Sequence, residues 1–210
     1  MDSVEEAFGW PLRRPGWFWR CAVMGLLSLV PVLGWIAATG WTLANLDNLR
    51  AGRRELPPAG LYLGRGWRLF LVLLVYALLI GVVADLFAVP GFMIASALHD
   101  TLGALFGIFL VIVGCAIGVL ALVAVSTLLL PAIVAATDRG GIPSGLAINK
   151  IVRMLLAKWQ ASVVAGLLLV VVYALQSAGS LICGVGILLT LGYSLPVMAA
   201  IFDRYERERL

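Results

Sequence analysis

Histidine is all but missing from this 210-residue chain, with His99 standing alone, and no Cys-x-x-Cys pair occurs among Cys21, Cys115 and Cys183. Those absences exclude the usual metal-ligand sets, because neither a His cluster nor paired thiolates exist to hold an ion. The three cysteines are scattered, each in an apolar stretch, where a free thiol behaves as a small hydrophobe. Charge is equally scarce. Only 12% of residues are Asp, Glu, Lys or Arg, against 62% hydrophobic residues and a mean hydropathy of +1.06. Soluble globules use apolar residues for nearer half of their length, so a water-soluble domain is excluded. The N-terminus does not read as a signal peptide: Asp2, Glu5 and Glu6 precede any basic residue, and no small-residue cleavage site follows the first apolar run.

Catalytic patterns are missing too. A serine nucleophile needs a Gly-rich turn and a His to deprotonate it, yet no Gly-x-Ser-x-Gly is present and His99 is expected on the far side of the membrane. An intramembrane aspartyl protease needs two facing carboxylates and Gly-x-Gly-Asp, whereas Val82-Val83-Ala84 precedes Asp85. No phosphate-binding or dinucleotide glycine pattern occurs. The chain is expected to be no enzyme, with no catalytic residue, cofactor or metal.

What is present is order in the basic residues. All fifteen Lys and Arg fall within residues 13–20, 50–68, 139–158 and 204–209, and the gaps 21–49, 69–138 and 159–203 contain none. Basic segments confined to one side of a membrane produce this pattern. A net charge of +4 and a pI near 9.3 therefore point to anionic headgroups on the cytoplasmic side, not to nucleic acid. No basic cluster carries the interleaved polar and aromatic groups of base recognition.

A span takes about 20 apolar residues to cross ~30 Å of hydrocarbon. Gap 69–138 holds two, at about 69–88 and 102–130, with Pro90-Gly91 expected to break the helix and His99-Asp100 at the most polar point. Gap 159–203 holds another pair, at about 159–178 and 181–202, hinged at Ser177-Ala178-Gly179-Ser180. The uncharged run 21–46 would be ~39 Å long as one helix. Crossing once, it would put Arg13, Arg14 and Arg20 opposite the other basic residues. A re-entrant hairpin over about 20–49, tipped at Pro31-Val32-Leu33-Gly34, keeps them together; a kinked single span is the alternative. In the hairpin, Trp35 should be packed deep among neighbouring spans.

Two flanking segments read as interfacial helices: a short one capped by Ser3-Val4-Glu5-Glu6, and an amphipathic one over about 142–158. Trp10, Trp17, Trp19, Trp67 and Trp159 lie near basic residues, as belt anchors do. The fold class is thus all-α, a single polytopic transmembrane bundle of four full spans with both termini cytoplasmic.

Several residues carry punctuation: Val4-Glu5-Glu6-Ala7-Phe8, Trp17, Leu26-Leu27-Ser28-Leu29-Val30-Pro31, Gly40, Arg50, Leu56-Pro57, Gly66 and, more loosely, Arg204-Tyr205. This pattern resembles the prokaryotic membrane-protein family called domain of unknown function 4013. The resemblance implies a multi-pass protein of a prokaryotic plasma (inner) membrane and no particular activity. Where that family tends to have an acidic, Trp-containing segment after Leu-Pro, this chain has Pro58-Ala59-Gly60.

Gly103, Gly107, Gly114 and Gly118 repeat at steps of 4, 7 and 4, putting small residues along one side of the third helix, for packing within the chain or for homodimerisation. Thr42, Asn45 and Asn48 recur every three residues, either as a helix emerging into the interface or as one wall of a polar cavity. Asp85 and Gln176 fall at similar depth and could share a hydrogen bond. The spans otherwise lack charge pairs. Two functional classes remain: a non-catalytic scaffold that binds a membrane-protein partner or a second copy, and a small-solute or lipid transporter using the hairpin.

Overall fold

The computed structural model describes residues 4–97, 101–180 and 185–208, all but the connecting turns as helix. The helices are α1 (Val4–Gly9), α2 (Trp17–Ser28), α3 (Leu33–Arg50), α4 (Leu63–Ala97), α5 (Thr101–Ala124), α6 (Leu130–Leu146), α7 (Ile148–Ala157), α8 (Trp159–Ser180) and α9 (Val185–Arg207). A π-turn at Val125–Leu129 joins α5 to α6 without a break. Four segments are long and apolar enough to cross a bilayer: Leu63–Ala97, Thr101–Leu146, Trp159–Gly179 and Gly186–Arg207. Ser3, His99, Asp100 and Cys183 lie outside the described residues.

Three expected breaks are not breaks. Pro90 sits inside α4, which runs on to Ala97. In an apolar segment a single missing donor costs less than releasing a whole turn of backbone groups with no water to receive them. The second span does not stop near residue 130 but continues through α6. Pro131 has no N–H for the carbonyl four residues back, and the π-turn over Val125–Leu129 absorbs that misfit by re-registering the ladder. Ser177 to Ser180 are helical in α8, so no hinge occurs there. The kink within α6 falls instead at Gly141, whose φ of 68° only glycine adopts freely.

The chain divides into two compact units. Unit 1 is Met1–Val72 with Thr127–Leu210; unit 2 is Leu73–Ser126. Unit 1 is centred on α9. Its partner α8 runs antiparallel, with Gly179 against Thr190 and the Gln176 amide donating to Ser194 Oγ at 2.6 Å. Helix α2 also runs antiparallel to α9 at very short range. A Cβ on Gly25 would lie 1.8 Å from the Leu188 carbonyl oxygen, and one on Gly192 1.8 Å from that of Cys21. Only glycine admits such a crossing.

Helices α2 and α3 form a hairpin. The chain turns over residues 29–32, and Gly34 packs against the Leu27 carbonyl, where a Cβ would come within 2.0 Å. Both ends of the hairpin return to one place: Arg20, near the start of α2, donates to the Leu56 carbonyl beyond α3, and Glu6 pairs with Arg54 at 2.5 Å. Trp35 is not packed deep; it is 56% exposed beside an apolar, exposed tip of Leu29, Val30, Val32 and Leu33. Trp10 is buried rather than an anchor, whereas Trp19, Trp67 and Trp159 are exposed. The amphipathic helix α7 begins at Ile148, later than expected, because Ala147 leaves the helical region. It buries Ile151 and exposes Ile148, Val152 and Leu156 beside Lys150 and Arg153.

Unit 2 is an α4–α5 pair. Gly107 and Gly114 are buried, and Cβ atoms there would lie 2.5 Å from the Ala95 nitrogen and 2.7 Å from the Ala84 carbonyl oxygen. Gly118 faces the Ala84 methyl, and Gly103 is half-buried. Most other side chains on α5 are exposed, as fits a helix surrounded by hydrocarbon.

Candidate functional site

The chemistry of the molecule is concentrated where α3, α4, α6 and α9 meet in unit 1. The last turn of α3 supplies Asp47 and Arg50, the first turn of α4 supplies Arg65, α6 supplies Asp138 and Arg139, and the last turns of α9 supply Asp203, Glu206 and Arg207. Arg50 lies at the centre. Its Nε and Nη2 donate to the two Glu206 oxygens at 2.9 and 2.7 Å, a bidentate fork, while Nη1 donates to Asp138 at 2.6 Å. Arg65 bridges Asp47 and Asp138, and Arg139 reaches Glu206 at 3.4 Å. Arg207 pairs with Asp203 at 2.8 Å and donates to the Leu49 carbonyl, tying α9 to α3.

The carboxylates of Asp138, Asp203 and Glu206 are more buried than the guanidiniums that meet them. Asp203 and Glu206 are buried, and the Asp138 side chain is 7% exposed. Burial works against the Arg50 charge, but hydrogen bonds and attraction from Glu206 and Asp138 more than offset it, so its guanidinium is held above its ordinary value. Planar guanidinium forks suit carboxylates in this geometry, where a lysine would satisfy one at a time. The expectation that the spans lack buried charge pairs is therefore corrected: four helices are joined at their basic ends by a part-buried ionic network centred on the buried carboxylates of Asp138 and Glu206.

Beside the network lies a cavity of about 30 Å³ lined by Leu43, Arg65, Arg68, Leu69, Val134, Thr137 and Asp138, room for a water. Thr137 Oγ1 is buried there without a hydrogen-bond partner. A larger groove, about 350 Å³, opens between α3 and the start of α4 over Gly40, Ala44, Asp47, Tyr62, Gly64 and Arg65. Burial raises the Tyr62 phenol above its ordinary value, with Arg20 pulling the other way. Among the described residues, no group of three or more His, Cys, Asp or Glu could hold a metal ion.

The residues of the expected polar face do not form one wall. Thr42 is buried and donates to the Ala38 carbonyl of its own helix at 3.0 Å. Asn45 is fully buried and donates to Trp41, leaving its own oxygen without a partner. Asn48 donates to the Glu55 carbonyl, closing the loop after α3. Asp85 is exposed on α4, and Gln176 is satisfied by Ser194. Sequence reasoning missed Asp47, Asp138, Asp203 and Glu206, although the first three each end an apolar gap just before a basic cluster and Glu206 lies within one. An acid at the edge of a basic cluster was the available signal.

The fold and its ionic site define a class, a polytopic helical membrane protein whose spans are clasped together at their basic ends. The family described as Protein of unknown function (DUF4013) matches residues 23–185, and the chain belongs to it. No curated protein and no solved structure matches the chain.

Proposed function

We propose that the protein is a non-catalytic membrane scaffold of a prokaryotic plasma membrane, with both termini and every basic cluster on the cytoplasmic side. In this reading α2 and α3 dip into the bilayer and return, and the exposed apolar tip at residues 29–33 faces hydrocarbon. Return of Arg20 to Leu56 supports it, as does the basic character of every cluster near the network. Fusions of a reporter after Arg68, Arg139 and Leu210 are expected to read cytoplasmic, and a fusion near His99 exterior.

The observation that carries the scaffold reading is the contrast in burial on α5. Beyond Gly107 and Gly114 it buries nothing, and Leu105, Phe109, Ile112, Val119 and Val123, which share one side, are exposed. A thin pair of helices with so little interior offers a lateral face to a membrane partner or a second copy. The transporter alternative has less support, because Thr42 and Asn45 bond back to their own helix and line neither the cavity beside the network nor the groove along α3.

Photo-crosslinking probes at Phe109 and Val119 in native membranes test this. The same discrete polypeptide adduct is expected from both positions, weakened when Ile112 between them is enlarged to Trp. Lipid adducts alone from both positions would overturn the scaffold reading.

A further inference from the structure

We infer that α7 is a docking helix for anionic phospholipid, with acyl chains on Ile148, Val152 and Leu156 and headgroup phosphate on Lys150 and Arg153. The ten residues of α7 present three faces. Ile151 is the buried one, flanked by half-buried Met154 and Leu155, and holds the helix to the protein. Ile148, Val152 and Leu156 follow one another at steps of four and are all exposed. Lys150 and Arg153, three apart and also exposed, lie about a third of a turn further round. An aliphatic strip with a cationic edge is the pattern of a helix lying in a headgroup layer.

The corners at its two ends fix its level. Ala147 (φ −75°, ψ 79°) and Lys158 (φ −137°, ψ 49°) both leave the helical region, so α7 continues neither α6 nor α8. Trp159, exposed, follows at once as the first residue of α8, which is long and apolar enough to cross a bilayer. A helix joined by one residue to the start of a span lies where that span enters the bilayer. Its three exposed aliphatic side chains therefore stand beside hydrocarbon, and its cations reach headgroups on long flexible stems.

Charge selects the lipid. No Asp or Glu occurs between Asp138 and Asp203. Arg50, Arg65, Arg139, Arg204 and Arg207 are each committed to a carboxylate, whereas Lys150 and Arg153 form no ion pair among the described residues. The Lys150 ammonium donates to the neutral Ser144 hydroxyl, at 3.3 Å. Two cations left uncompensated at headgroup level attract phosphate. A zwitterionic headgroup brings its own cation with it, so a lipid of net negative charge is favoured.

The inference rests on the membrane reading and not on the scaffold, so polypeptide cross-linking from α5 and lipid cross-linking from α7 fail separately. The test places the full chain, with a photo-crosslinking residue at Leu156, in nanodiscs of equimolar phosphatidylglycerol and phosphatidylcholine. Mass spectrometry then identifies the adducts. Lipid adducts are expected, with phosphatidylglycerol favoured about fivefold or more, the effect of one basic residue near a charged surface. Lys150→Gln with Arg153→Gln should bring the ratio near one, while Lys150→Arg with Arg153→Lys should keep it. Both pairs of changes fall on exposed positions outside the ionic network. A wild-type ratio near one, or a ratio that survives the glutamine changes, would overturn the anionic site. Adducts to a second copy of the chain in place of lipid would make α7 a protein interface and overturn lipid docking.

Discussion

Unit 1 and unit 2 solve the same problem with different chemistry. Both bring helices together in a segment where lipid gives no hydrophobic push, and both use glycine to do so. In unit 1, however, the glycines on α2, α3 and α9 come so near a neighbouring carbonyl that an added Cβ would sit 1.8 to 2.0 Å from its oxygen. In unit 2 the corresponding backbone approaches of Gly91, Gly107 and Gly114 are 2.5 to 2.7 Å. Unit 1 also carries the network of Arg50, Arg65, Asp138 and Glu206, whereas among the described residues no ion pair includes a residue of unit 2. Unit 1 combines close backbone approach along its helices with charge pairing at its basic end, and looser apolar contact suffices in unit 2. The lesson is that, among the described residues, ion pairs that specify how helices meet are found in unit 1.

The largest test of that contrast is Arg50→Gln. Removing the charge leaves Asp138 only Arg65 and Glu206 only the 3.4 Å contact with Arg139, a loss toward the lower end of the ~3–5 kcal/mol for a buried ion pair broken on one side. Thermal unfolding in detergent reads it, and Arg50→Lys should recover only part of the loss because an ammonium cannot form the fork. A Gln variant that melts like the wild type would mean that the network does not hold unit 1 together.

A matched pair of glycine changes sharpens the comparison. Overpacking a tight contact costs about 1–3 kcal/mol. Gly192→Ala, facing the Cys21 carbonyl, should fall at the upper end, and Gly107→Ala, facing Ala95 and Gly91, at the lower end. Equal losses would erase the distinction between the two units. The smallest effect belongs to Thr137→Val. Removing a buried hydroxyl with no partner should leave stability unchanged or raise it by up to about 1 kcal/mol. A clear loss would show that water in the adjoining cavity satisfies that hydroxyl.

Much of the architecture was legible because composition and spacing act locally. The long apolar gaps between Arg68 and Arg139 and between Lys158 and Arg204 read as paired spans, whatever their neighbours are. The pairing of Gly107 and Gly114 with α4 followed a helical repeat visible in the letters. The failures have a common cause. Pro90 and Ser177 looked like stops because propensity in water was applied to segments whose backbone has no water to turn to. Thr42 and Asn45 looked like a polar wall because both have donors, yet their nearest acceptors are carbonyls one turn back on α3.

By itself, then, the order of residues determined that this chain is an all-helical membrane protein with four long apolar spans, and that its basic groups gather in four clusters. Each of those is a property of a segment and its solvent. Only the tertiary structure decided that Arg50 of α3, Arg65 of α4, Asp138 of α6 and Glu206 of α9 meet, since the pair Arg50 and Glu206 is separated by 156 positions. Partner choice among so many like charges depends on which helix ends pack side by side. That is settled by close backbone crossings such as Gly25 on Leu188 and Gly192 on Cys21, and no local pattern encodes it.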